Sequence, residues 1–211
     1  MKKIFLLFTI ILFATTSKIH AQYDSIFHWK SGVMIRKQSV KQTDLDSITF
    51  RRLLVGQSYK GGVIAYILKA GDPGYVAGQT HGLIAATADQ SSKLRWYNGT
   101  YITTGATAIA LGTGLNNTNL IITKQGNTGA YAAKLCRDYR GGGYTDWFLP
   151  SKDELNILYL NKTLIGGFST YYYWSSTEEN NSYAWHQRFS DGNTTNGDKL
   201  YTFSVRAVRR F

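Results

Sequence analysis

Apolar and polar positions alternate along this chain in three regimes, and each regime predicts a different kind of element. The first is a continuous run. Residues 4–14 are apolar apart from Thr9, follow Lys2 and Lys3, and give way to a more polar stretch ending Ile19-His20-Ala21. This is the basic start, apolar middle and small-residue end of a secretory signal peptide cleaved after Ala21. A membrane anchor is the alternative reading, but the run is shorter than the ~20 residues a spanning helix needs. No second run of spanning length follows.

The second regime is short extended runs. Ile26, Phe27 and Trp29 face Val33, Met34 and Ile35 across Ser31-Gly32, which predicts a hairpin. Residues 45–50 form a third extended piece, and Arg51 and Arg52 lead to a linker near residues 56–58. Further on, residues 63–68 and 83–86 read as buried strands, with a turn at 71–74. Residues 94–97 and 100–103 flank Asn98-Gly99, which predicts a hairpin with a type I′ turn. Towards the end, residues 171–174 and 183–189 read as strands separated by a polar loop, 175–182. Residues 191–198 read as a second loop, and 200–203 and 205–208 as closing strands.

Helical spacing is the third regime. Residues 116–125 read as a short helix. Ala130, Ala133 and Cys136 fall at i, i+3 and i+6 within a helix over 129–139. The most legible helix start follows the apolar run Trp147, Phe148 and Leu149. Pro150 ends the extended segment, and Ser151 stands three residues before Glu154 as a capping box. Asp153 and Glu154 complement the helix dipole, and Leu155, Leu158 and Tyr159 supply one apolar face.

Composition changes this picture in two places. The formal charge is +11; the signal segment holds Lys2, Lys3 and Lys18 and no acid, so its removal leaves +8. That excess implies affinity for polyanions such as sulfated glycans or acidic envelope polymers. Nucleic acid has the same charge but is not expected as a partner. The single cysteine, Cys136, excludes an intrachain disulfide and reads as a small buried residue.

Candidate chemistry is sparse. Glu178, Glu179, Asn180, Asn181, Asp191, Asn193, Asn196 and Asp198 offer hard oxygen donors, but neither an EF-hand spacing nor a lectin calcium motif is present. Gly112-Thr113-Gly114 lacks the GKS/T of a phosphate loop and the third glycine of a dinucleotide fingerprint. No nucleophile–base pair stands out, so no enzyme activity, metal or cofactor is expected. Arg206, in the apolar context Val205-Arg206-Ala207-Val208, needs a carboxylate partner if buried. Glu178, Asp146 and Glu154 are the candidates. Alternation places Val205, Ala207 and Arg209 on one strand face and Arg206 and Val208 on the other.

Four blocks of the chain also match a known pattern: Gly61-Gly62-Val63-Ile64-Ala65-Tyr66 with His81-Gly82-Leu83-Ile84-Ala85-Ala86; Trp96-Tyr97-Asn98-Gly99; Asp146-Trp147-Phe148-Leu149-Pro150-Ser151-Lys152-Asp153-Glu154-Leu155; and Tyr173-Trp174-Ser175-Ser176-Thr177-Glu178 with Tyr183-Ala184-Trp185 and Val205-Arg206-Ala207-Val208-Arg209. Over roughly residues 58–211 the chain resembles the bacterial Lcl C-terminal domain family, which overlaps the Fibrobacter major paralogous domain family. The DLDSITF phrase at 44–50 is similar to the end of a short N-terminal segment of secreted bacterial proteins. The resemblance implies an α+β, C-type lectin-like or formylglycine-generating-enzyme-like domain, with two main helices and a sheet-rich C-terminal half. Formylglycine-generating enzymes rely on a cysteine pair or copper thiolates, which one cysteine cannot reproduce. Some family members are adhesins for sulfated glycosaminoglycans.

The expected organisation is a signal peptide at 1–21, a hairpin extension and linker at 22–57, and the family domain at 58–211. The expected function is a secreted, periplasmic or surface-exposed adhesin-like module. It would bind an anionic polysaccharide through Arg188, Lys199 and Arg210, with Tyr171, Tyr172 and Trp185 as stacking partners. The alternatives are a protein-interaction module that presents 171–198 to a host or bacterial surface protein, and a structural envelope protein. Trp147, Pro150, Ser151, Glu154, Trp174 and Arg206 are expected to be structural. Trp185 also matches a core position, which makes Tyr171 and Tyr172 the better exposed aromatics.

Overall fold

A computed structural model describes residues 23–30, 33–41 and 53–211. The signal-peptide reading, the Ser31-Gly32 loop, the extended piece at 45–50 and Arg51-Arg52 lie outside the described residues. The chain divides into two compact units, Met1–Arg52 and Leu53–Phe211. In the first, β1 (Tyr23–Lys30) and β2 (Val33–Lys41) pair antiparallel from Lys30↔Val33 to Tyr23↔Lys41, with a slip between His28 and Trp29.

The second unit is α+β. Its strands are β3 (Ser58–Tyr59), β4 (Gly62–Ile67), β5 (Gly82–Ala85), β6 (Ser91–Leu94), β7 (Tyr172–Glu178), β8 (Tyr183–Arg188), β9 (Thr194–Asp198), β10 (Phe203–Val205) and β11 (Val208–Arg210). Between β6 and β7 lie α1 (Gly114–Gln125), α2 (Ala132–Asp138), α3 (Lys152–Leu160) and α4 (Lys162–Ile165). One sheet runs β6-β10-β7-β8-β9 and the other β11-β5-β4-β3. Every pairing is antiparallel except β10 with β7.

Apolar side chains collect in two clusters that β7 joins. Trp174 points into the one holding Trp96, Ile121, Tyr131, Cys136, Trp147 and Val205. Tyr173, its neighbour on the opposite strand face, joins Phe148, Leu155, Leu158, Ile165 and Phe189. Three fully buried tryptophans each donate the indole N–H to a main-chain carbonyl: Trp96 to Ser175 at 2.8 Å, Trp174 to Leu94 at 2.9 Å and Trp147 to Gly141 at 3.2 Å. Satisfying that polar atom lets so large a side chain be wholly enclosed.

The stretch from Trp147 to Leu160 ties these layers together. Phe148 exchanges hydrogen bonds with Val208 at 2.8 and 2.9 Å and so extends the second sheet. The carbonyl of Pro150 accepts from Ser176 N in β7 at 2.7 Å. Ser151 Oγ accepts from Glu154 N–H, and Glu154 Oε2 accepts from Ser151 N–H at 2.8 Å, closing the capping box of α3. Glu154 Oε1 takes Gly112 N–H at 2.9 Å. A Cβ at Gly114 would collide with Glu154 Oε2 and lie 2.8 Å from Ser151 N, so that position is confined to glycine.

Several elements differ from the sequence expectation. Asn98-Gly99 closes no hairpin. Asn98 is bound to the end of α1 through Gln125, and β6 pairs with β10 instead. Polar residues 175–178 do not form a loop but continue β7. Two of the three hydroxyls are satisfied inside, Ser175 Oγ donating to Trp185 O at 2.8 Å and Thr177 Oγ1 to Ala108 O at 3.0 Å, while Ser176 Oγ is buried without a partner. Residues 194–198 form β9 against β8 rather than a loop. The helix expected from 129 starts at Ala132. The closing strands are Phe203–Val205 and Val208–Arg210; they belong to different sheets, and the chain crosses between the sheets at Arg206-Ala207.

Candidate ligand-binding surface

Three ion pairs brace the elements from which the predicted contacts project. Lys199 is fully buried. Its ammonium donates to Glu178 Oε1 at 2.6 Å, to the carbonyls of Asn180 and Asn181 at 2.8 Å each, and to Ile102 O at 3.3 Å. It also stands 4.6 Å from the Trp96 ring centre. Glu178 in turn accepts from Thr104 N–H and Gly105 N–H. Burial pulls the Lys199 pKa down, while the Glu178 carboxylate opposes that shift. Lys199 is therefore an internal clamp on three loops and cannot be a surface contact, which corrects the sequence expectation. Nothing in the local sequence Asp198-Lys199-Leu200 distinguishes it from a solvated turn lysine.

Arg206 is also buried, but its carboxylate is none of the three candidates. Nε donates to Asp89 Oδ1 at 2.7 Å, Nη1 donates to Ala86 O at 2.9 Å, and Nη2 reaches Gly167 O. The guanidinium lies 4.0 Å from the Phe168 ring centre. Asp89 also accepts the Tyr173 hydroxyl at 2.7 Å. Asp146 serves Arg209 instead, in a bidentate pair at 2.7 and 2.9 Å, with the guanidinium 3.8 Å from the centre of Tyr144. That pairing holds the Asp146 carboxyl below the usual range. Glu154 has no ion pair, and burial pushes its carboxyl up despite two backbone donors.

The remaining predicted contacts do not converge. Arg188 is paired with Asp191 at the surface and lies 5.8 Å from the Tyr172 ring centre. Tyr171 is 73% exposed, whereas Tyr172 is half-buried, edge-on to His186. Trp185 is also half-buried, and the Lys152 ammonium covers its ring at 3.4 Å. Arg210 lies elsewhere. It bonds to Gly112 O beside a largely apolar cleft of about 220 Å³, lined by Leu68, Pro73, Leu83, Leu111 and Phe211 with Glu154 at one side. Among the described residues no group of three His, Cys, Asp or Glu side chains could hold a metal ion. Buried in α2, Cys136 has its thiol pKa pushed up by desolvation, which keeps it unreactive.

A set of basic residues passed over in the sequence reading lies on another part of the unit. Arg140 is exposed, and its Nη1 donates to Arg137 O at 2.8 Å and Tyr139 O at 2.9 Å. Arg137 bonds to Asn119 of α1. Arg95 is exposed, and its carbonyl accepts from Ala132 N–H, at the start of α2, at 3.0 Å. A charge count by segment would have found them.

No curated protein matches the chain. A fimbrial protein from Bacteroides ovatus, solved by crystallography, is similar with a TM-score of 0.47 and 16% identity over 91% of this chain and 49% of that one. The chain thus spans about half the length of that structure. The Lcl C-terminal domain matches residues 85–209, which takes in the Trp96, Trp147–Leu155, Trp174–Glu178 and Arg206–Arg209 blocks and leaves Gly61–Tyr66 outside. With more than half its length matched, the chain belongs to the Lcl C-terminal domain family.

Proposed function

We propose that the chain is an exported, non-catalytic binding module of the cell surface that recognises polyanionic glycans. On this reading residues 1–21 are a cleaved signal peptide, 22–57 an extension, and 58–211 a C-type lectin-like domain that binds without calcium. One observation carries the functional part. Each ion pair removes one charge of each sign, so the basic excess of residues 53–211 is untouched by the pairs Lys199–Glu178, Arg206–Asp89, Arg209–Asp146, Arg188–Asp191 and Lys134–Asp138. The excess therefore belongs to exposed lysines and arginines, where it attracts polyanions over about a Debye length, ~8 Å at physiological salt.

The test is retention of residues 22–211 on immobilised heparin, with and without calcium. Retention at low salt, steep loss of affinity with added salt, and indifference to chelator are expected. Passage through the column at low salt rules the reading out. A second reading, contact with a surface protein, draws on the apolar side chains left exposed near the C-terminal loops. Tyr171, Tyr183, Leu200 and Tyr201 are the main ones. It moves ahead if heparin is not retained.

A further inference from the structure

We infer that the polyanion engages the face built from α1, α2 and the residue following β6, with Arg95, Arg137 and Arg140 as its principal contacts, and not the C-terminal loops. This rests on the reading of the chain as a polyanion-binding module and places the site within it. Charge is divided unevenly along the sequence. Residues 91–145 hold six basic side chains (Lys93, Arg95, Lys124, Lys134, Arg137 and Arg140) and one acid, Asp138. Residues 171–200 hold only Arg188 and Lys199, against Glu178, Glu179, Asp191 and Asp198. Lys199 is buried, and Asp191 already occupies Arg188. A sulfate or carboxylate approaching those loops meets the acids Glu179 and Asp198, with the Lys152 ammonium already seated over the Trp185 ring.

The basic segment is drawn together by packing. α1 and α2 are in contact, the main chain of Arg95 bonds to the first residue of α2, and Arg137 and Arg140 meet at the other end of that helix. Lys134 takes up the one acid, Asp138, and no carboxylate pairs with Arg95, Arg137 or Arg140 among the described residues. Arg137 is half-buried, with Nε enclosed and without a hydrogen-bond partner and Nη2 bonded to Asn119, so its positive charge is left unneutralised. The Arg140 guanidinium is held by Nη1 donating to Arg137 O and Tyr139 O, and the glycines that follow shape the backbone turn beside it. A Cβ at Gly141 would overlap the Tyr139 ring, and Gly142, at φ 63°, packs against Gly61. A fixed guanidinium fork suits the planar, two-oxygen recognition of sulfate and carboxylate better than a mobile ammonium does.

Heparin binding of residues 22–211 distinguishes the possibilities. Replacing Arg95, Arg137 and Arg140 together by serine is expected to weaken affinity about tenfold or more and to flatten its dependence on salt, because a protein with fewer cations at the site displaces fewer counterions from the polymer. Replacing Arg188 and Arg210 by serine is expected to change it less than twofold. The same far-UV spectrum and melting temperature as wild type certify the triple variant. If it does not fold, Arg140→Glu alone, at the surface, carries the test with an expected threefold loss or more. Wild-type affinity in the folded triple variant or in Arg140→Glu, or a greater loss in the Arg188/Arg210 pair, overturns the location while leaving the proposed function standing. Failure of the wild type to bind heparin overturns both. Displacement of bound heparin by duplex DNA at lower charge concentration would overturn the assignment to a polysaccharide.

Discussion

His186 sets an acid limit on the stability of this domain. It sits in mid-β8, 5% exposed, with its ring 4.6 Å from Phe203, 5.0 Å from Tyr172 and 5.6 Å from Trp174, and a Cβ at Gly197 would stand 2.8 Å from its Nε2. Nδ1 has no hydrogen-bond partner. Among the described residues no carboxylate pairs with it, and burial lowers its pKa from 6.5 to about 4. The sign follows directly: between the two values the unfolded chain holds a proton that the folded chain refuses. Stability is complete above pH 6.5 and falls as the pH drops towards 4. At about 1.4 kcal/mol per pKa unit the full penalty is roughly 3 kcal/mol. We expect about 2 kcal/mol by pH 4.5, allowing for partial hydration of the ring.

The comparison is urea unfolding followed by tryptophan fluorescence, at pH 7.5 and 4.5 and constant ionic strength, for wild type and His186→Leu. Acid also weakens the carboxylate pairs, but that loss is common to both proteins and cancels in the difference. Wild type should lose about 2 kcal/mol more than the variant. Parallel losses, within ~0.5 kcal/mol, would show that His186 is hydrated or paired in solution and that the desolvation argument is wrong.

Three other substitutions probe the internal charges and the α3 start. Arg206→Ala leaves the half-buried Asp89 against Tyr173 without its cation and abandons carbonyls from two loops, so it should cost about 3 kcal/mol in urea unfolding; an unchanged midpoint would make Arg206 ordinary surface charge. Lys199→Ser should destabilise by a similar ~3–5 kcal/mol, whereas a folded variant with weakened heparin retention would return Lys199 to the contact surface. Gly114→Ala should lower the melting temperature by several degrees, a cost of about 1–3 kcal/mol for overpacking; a neutral result would mean that Ser151 and Glu154 yield easily.

What the sequence disclosed, and what it hid, follows one physical division. Elements whose cause is local were legible. Ser151, Glu154 and Pro150 define the start of α3 through neighbours within four residues, and a reader of those residues needs nothing else. The strand 172–178 was half-missed because its last four residues, Ser-Ser-Thr-Glu, look solvated. Ser175, Thr177 and Glu178 can be buried because Trp185 on the next strand and the distant Ala108, Thr104 and Gly105 offer them partners. The same applies to charge. Lys199 and Arg188 lie eleven positions apart in similar polar surroundings, yet one is a buried clamp and the other a surface pair. Partner identity was equally hidden, since Asp89 and Asp146 divide Arg206 and Arg209 according to a sheet crossing at residues 206–207 that alternation does not reveal. Net charge survives this loss of detail because pairing conserves it. A basic excess read from composition thus bears on the sign of the proposed ligand while saying little of where it would bind. Location needs the count of charges that no neighbour has already claimed, and that count points to the helical half of the domain.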